Sequence, residues 1–146
     1  MSELILDHGE TPVFTLGQSR VFALASPPRG AHETTLFRAF VGPGESTSPH
    51  YHDHEELLSV LSGSGRLRIG NREYSLTAGD TAVIPAGEVH VATADGEPWE
   101  CLLAGPAGLR YFDPDGHQVA PPPWAAELSD GDAEQAPASK WLGTFY

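Results

Sequence analysis

An all-β fold, a small sandwich or barrel, is what this sequence predicts, and three observations carry it. Short apolar stretches recur about every ten residues with turn signals between them. Gly and Pro are numerous, 16 and 13 of 146 residues, which favours many short strands over long helices. No segment has a convincing helical period. The length suits one domain with a core of its own.

Taken in order, residues 1–19 carry short apolar fragments broken by Gly9, Pro12 and Gly17, and read as an arm or one or two edge strands. Residues 21–25 form a strand closed by the turn chemistry of Ser26-Pro27-Pro28-Arg29-Gly30. Residues 34–41 are rich in β-formers and stop at Gly42-Pro43-Gly44. Residues 56–61 make the next strand. Residues 66–69 alternate polar and apolar, and Gly70-Asn71 is a two-residue hairpin into residues 72–76. Strands at 81–84, 90–94, 99–104 and 109–112 finish the series. Beyond Phe112 the chain turns Pro-rich at 113–123, permits one helical turn at 124–128, and is poor in apolar residues at 130–139. It becomes apolar again at 140–146, an ending suited to docking on its own barrel or on a neighbouring subunit.

Composition excludes several partners. The net charge is -12, which repels nucleic acid and anionic membranes alike. Much of that acidity falls late, in Asp113, Asp115, Glu127, Asp130, Asp132 and Glu134, and reads as a solvated tail. The single cysteine, Cys101, lies in an apolar run and reads as a buried, inert thiol. The first residues lack a basic start and a long apolar run, so a cytoplasmic protein without signal peptide or membrane span is expected.

The chemistry concentrates in two segments. Along residues 44–65, His50 and His52 stand one residue apart, so an extended chain points them the same way. Glu56 follows a short loop later, and residues 79–94 supply His90. Neutral imidazoles and a carboxylate make a site of intermediate hardness for one divalent transition ion, Fe, Mn, Ni, Co, Cu or Zn, and suit Ca or Mg poorly. His54 shares the ligands' parity and reads as a supporting or loop residue. His8, His32 and His117 have no partner spacing and read as surface residues. Tyr51 should point away from the ion, whereas Phe40, Leu58, Val60 and Ala92 have the parity of cavity-lining positions. Arg66, Arg68 and Arg72 read as a solvent-facing strand surface.

The two segments together resemble the paired motifs of cupins. Gly44, five residues, His50-Tyr51-His52, three residues, Glu56, six residues and Gly63 reproduce the first motif. Gly79, five residues, Pro85-Ala86-Gly87, two residues and His90 reproduce the second, with Ala94 where the pattern has Asn. The resemblance implies a conical jelly-roll β-barrel over residues 20–112, flanked by the N-terminal arm and a Pro-rich C-terminal tail at 113–146. It implies His50, His52, Glu56 and His90 as metal ligands, Glu56 rather than its neighbour Glu55, and a homodimer. A shorter stretch, Ala104-Gly105-Pro106 before the aromatic strand 109–112, is similar to the end of quercetinase-type cupins. That similarity implies a dioxygenase acting on a small hydroxy-ketone or flavonol-like chelator, with Glu56 as general base on the substrate hydroxyl. Two other expectations stand beside it: an isomerase, lyase or polyketide cyclase without redox chemistry, and a non-catalytic metal-dependent binding module.

Overall fold

The computed structural model of the protein describes residues 4–120 and the backbone of 141–145. Its strands are β1 (Val13–Leu16), β2 (Ser19–Ala25), β3 (Thr34–Val41), β4 (Tyr51–His52), β5 (Glu56–Ser62) and β6 (Ser64–Ile69). They continue as β7 (Arg72–Thr77), β8 (Thr81–Ile84), β9 (His90–Ala94), β10 (Trp99–Pro106), β11 (Tyr111–Phe112), β12 (Gln118–Ala120) and β13 (Trp141–Phe145). The predicted helical turn at 124–128 and the polar stretch at 130–139 lie outside the described residues. Among the described residues, no helix is long and apolar enough to cross a membrane.

A seven-stranded sheet in the order β13-β1-β2-β3-β10-β5-β8 makes one wall of the barrel. Two three-stranded sheets, β12-β11-β4 and β7-β6-β9, make the other. Isolated bridges from His50 to His90 and from Ser46 to Thr93 tie the segment around β4 to β9. These bridges bring the two sequence motifs together. β1 pairs antiparallel with β2 on one side and parallel with the backbone of β13 on the other.

The interior follows from side-chain alternation. Thr35, Phe37, Ala39 and Val41 of β3 point inward, as do Glu56, Leu58 and Val60 of β5 and Trp99, Cys101 and Leu103 of β10. Phe14, Leu67, Ile84 and Tyr111 complete a core with almost no exposed surface. The same parity corrects one expectation. Phe40 follows Ala39 and so faces out of the barrel, where the Arg20 guanidinium lies 4.7 Å above its ring. Leu58 and Ala92 do line the cavity, while Val60 is buried within the core.

The local connections follow their residues. Gly70-Asn71 joins β6 to β7 with Ile69 facing Arg72. Residues 26–30 form a 3-10 turn with Pro27 at its start and Gly30 closing it at a φ of 101°. Gly65 sits beneath Trp99, whose ring occupies the space a Cβ would fill, so a side chain there is excluded.

Candidate metal centre

Three imidazoles converge where the motifs meet. His50 precedes β4, His52 ends it, and His90 opens β9. Each is at most 4% exposed, and one ligand atom from each lies within 4.8 Å of the others. The ring centroids of His50 and His90 are 4.2 Å apart, and those of His52 and His90 are 4.9 Å apart.

Backbone carbonyls set the tautomer of all three. His50 Nδ1 lies 2.7 Å from the Ser48 carbonyl, His90 Nδ1 2.9 Å from that of Glu88, and His52 Nδ1 3.3 Å from that of Arg110. A carbonyl only accepts, so each Nδ1 carries the proton and donates it. Each Nε2 is left with its lone pair free, the form a metal needs. Burial, then the neighbouring His90 and His52, pushes the His50 pKa well below its ordinary value of 6.5. Burial and His52 likewise lower His90, against the opposing influence of Glu56. These two rings are therefore neutral near neutral pH.

Glu56 opens β5 beside this cluster and is 2% exposed. Its Oε1 lies 3.2 Å from His52 Nε2, yet His52 Nε2, His90 Nε2 and Glu56 Oε2 all lack a hydrogen-bond partner among the described residues. Buried polar atoms in that condition destabilise a fold by about 1–3 kcal/mol each unless something binds them. Nitrogen lone pairs and a carboxylate oxygen gathered without donors between them fit a divalent transition ion. The three histidines singled out in the sequence thus share one buried cluster, and the predicted fourth ligand, Glu56, lies beside it against His52.

The site opens onto a small cavity of about 30 Å³. His50, Glu56, His90 and Tyr111 line it together with apolar side chains such as Leu16, Val21, Leu58 and Leu103. Tyr111 was not singled out by the sequence, because a two-residue strand carries too little alternation to say which residue faces in. Its ring stacks on His50 at 5.4 Å and meets His52 edge-on at 4.3 Å. Pairing of Tyr111 with His52 across β11 and β4 fixes that placement, and Tyr51, paired with Phe112, stacks on it away from the imidazoles.

The remaining titratable groups stand apart. His54 is more than half exposed and lies beside Asp53, 3.1 Å away. Asp53 in turn accepts hydrogen bonds from the backbone N–H and the Nε of Arg110, at 2.9 and 2.8 Å. Burial raises the Asp53 pKa, but Arg110 and His54 outweigh it and hold the carboxyl below its ordinary 3.8. Asp113, Asp115 and His117 gather on the surface, where Asp113 accepts from the N–H groups of Asp115 and His117 and so closes a turn. Arg66 faces solvent between Glu73 and Asp95. Cys101 is buried, and that burial, with Glu100, pushes its thiol up to about 12.

A jelly-roll barrel with a buried three-histidine cluster at the meeting of two sheets is a cupin-type fold with a metal-site candidate. Residues 37–105 match the family model described as the cupin domain, and the fold is that of the cupin jelly roll. The polyketide cyclase RemF from Streptomyces resistomycificus superposes with a TM-score of 0.65 at 25% identity, covering 92% of each chain. A chain from the crystal structures of the DMSP lyases superposes at 0.55 with 29% identity, over 59% of this chain and 46% of that one. An uncharacterised protein of Aquifex aeolicus is 44% identical over 46 residues, 31% of this chain and 38% of that relative.

Proposed function

We propose that the protein is a metal-dependent enzyme acting on a small, oxygen-bearing substrate by polar rather than redox chemistry, in the manner of a cyclase, isomerase or lyase. The observation that carries this reading is the set of buried, partner-free ligand atoms on His52, His90 and Glu56, with each histidine's other nitrogen tied to a carbonyl. His50, His52 and His90 would hold the ion, with Glu56 beside it. An ion held there would supply Lewis-acid polarisation of a substrate oxygen. The chain supplies the rest. Apolar walls exclude water and bind the substrate's carbon frame, and Glu56 Oε2, free of donors among the described residues, is placed to accept a substrate proton. Likeness to a polyketide cyclase over nearly the whole of both chains, and to a lyase over part, supports the polar class.

A second reading keeps the same ligands and makes the protein a dioxygenase on a hydroxy-ketone or flavonol-like chelator. It rests on the Ala104-Gly105-Pro106 similarity, although these residues form the end of β10, paired with β3, rather than the expected turn. A third, a non-catalytic binding module, shares the site as well. Anaerobic assays separate them. Purified protein loaded separately with Zn, Co, Mn, Ni and Fe is given β-polyketone and hydroxy-ketone substrates with and without oxygen. Turnover without oxygen is expected. Turnover that requires oxygen would move the assignment to the dioxygenase, and tight binding without product in any metal form would move it to the module.

The same reading includes a homodimer. Leu57 and Val83 are cross-strand neighbours on the outer face of β5 and β8, and with Leu61 they stand 40–55% exposed, an apolar strip that a second copy would cover. Sedimentation at micromolar concentration is expected to give twice the chain mass, and a monomer would remove the dimer.

A further inference from the structure

Tyr111 lines the cavity against the imidazoles and carries a hydroxyl that has no role in the metal centre; Ser19, whose hydroxyl is likewise unpartnered among the described residues, lines the same cavity but makes no ring contact with the histidines. Its side chain is 1% exposed, and Oη has no hydrogen-bond partner among the described residues. Leaving a hydroxyl in that state destabilises the fold unless a ligand or water satisfies it, and a phenylalanine would fill the same space without the penalty. Its ring is held on two sides, face-on by His50 and edge-on by His52. Its backbone is held too. The adjoining Arg110 is clamped by Asp53 through two hydrogen bonds, and the Arg110 carbonyl accepts from His52 Nδ1. A rigidly placed donor therefore shares one cavity with the imidazoles and Glu56.

We propose that the Tyr111 hydroxyl donates a hydrogen bond to the oxygen atom of whatever oxygen ligand occupies the imidazole end of the cavity. This selects ligands whose bound atom keeps a lone pair to accept it. The proposal rests on the metal-centre reading above and adds a specificity-determining residue to it. Carbonyl, enolate and hydroxamate oxygens have that second lone pair, whereas the bound nitrogen of imidazole has none. The donor and the carboxylate of Glu56 are complementary, so a substrate presenting an oxygen acceptor next to an acidic proton fits both.

The test uses the full-length protein loaded with Co(II), whose visible absorption reports binding at the ion without any turnover. Acetohydroxamate and imidazole are titrated into the parent protein and into Tyr111→Phe, after cobalt stoichiometry and melting temperature have been measured for both. The expected result is unchanged cobalt content, acetohydroxamate binding weakened about tenfold, equivalent to about 1.4 kcal/mol, and imidazole binding within twofold of the parent. Equal weakening of both ligands would show that the ring only positions the histidines, and no weakening of either would show that the hydroxyl touches nothing at the site; each overturns the proposal. If the variant loses cobalt, the same titrations are made on Tyr111→His, which keeps a ring N–H donor in the cavity. There, acetohydroxamate and imidazole affinities that fall together would overturn the proposal, and a selective hold on acetohydroxamate would support it. Failure of the parent protein itself to take up cobalt would instead sink the metal centre, and this proposal with it.

Discussion

At the residue scale, the imidazoles are distinguished from ordinary core histidines by what each ring nitrogen meets. A satisfied core histidine would have both nitrogens engaged, whereas His52 and His90 have Nδ1 engaged and Nε2 buried without a partner among the described residues. Replacing His90 with Ala is therefore expected to remove one ligand while relieving an unsatisfied buried atom. Metal content measured by elemental analysis should fall at least tenfold, with the apo melting temperature little changed. Glu56→Gln separates holding from proton transfer. It keeps the side chain's shape and one acceptor oxygen, so the variant should fold, while turnover falls by about 10²–10⁴ if the carboxylate accepts the substrate proton. Cys101, at 3% exposed with its thiol pushed up to about 12, should resist a thiol reagent such as DTNB in the native protein and react only after denaturation.

At the element scale, the site depends on connections as much as on strands. Gly87 closes the Pro85-Ala86-Gly87 turn at a φ of 80°, and its N–H donates to the His52 carbonyl at 2.8 Å. No atom lies within 4 Å of where a Cβ would sit, so Gly87→Ala meets no clash and suffers from the left-handed backbone alone. The expected loss is about 1 kcal/mol in chemical denaturation, with the metal site intact. The Asp53–Arg110 clamp between β4 and β11 acts differently, because the Arg110 carbonyl orients His52. Asp53→Ala should cost only modest stability, since the Arg110 side chain is 53% exposed although that of Asp53 is 20% exposed, but weaken metal binding about tenfold in a chelator competition. Elements of this kind show which parts of the site were legible beforehand. His50, His52 and His90 could be placed because period-two alternation and fixed spacing determine their faces once the strands are known. Tyr111 could not, because its strand has two residues and its orientation comes from pairing with His52, a partner 59 residues away that local alternation cannot identify. Phe40 misled for a related reason. Aromatic residues at 37 and 40 have opposite parity, and only the register with β10 shows that Phe37, facing Leu103, takes the interior. The 3-10 turn at Pro27–Arg29 was readable as a break, though the helical sense came from Pro27 at its start.

At the scale of the whole molecule, the barrel stores a pH dependence whose sign follows from its buried groups. His50 and His90 take up protons with less affinity in the folded chain than at their ordinary value of 6.5, chiefly through burial. The unfolded chain therefore binds more protons as pH falls through 6.5, and acid favours unfolding. The contribution of these rings is fully present above about pH 6.5 and is lost progressively below it. Asp53, held below 3.8, adds a further loss only at much lower pH. Cys101 and Tyr111 act at the other end. Both are raised above their ordinary values of 9.0 and 10.0, so the folded chain keeps protons that the unfolded chain releases, and stability falls as pH rises beyond about 9. The apo protein should then show a plateau in melting temperature between roughly pH 6.5 and 9, with the steeper decline on the acid side beginning at the histidines. Metal loading should raise the plateau, because an ion that binds only the folded form stabilises it by mass action. It should not raise the acid limb to the same extent, since protons compete with the ion for the same Nε2 lone pairs. Melting curves of the apo and zinc-loaded forms from pH 4 to 10 would measure both effects. Parallel curves, with a constant offset down to pH 4, would mean that the bound ion and the imidazole protons do not compete, and the ligand assignment of His50 and His90 would fall.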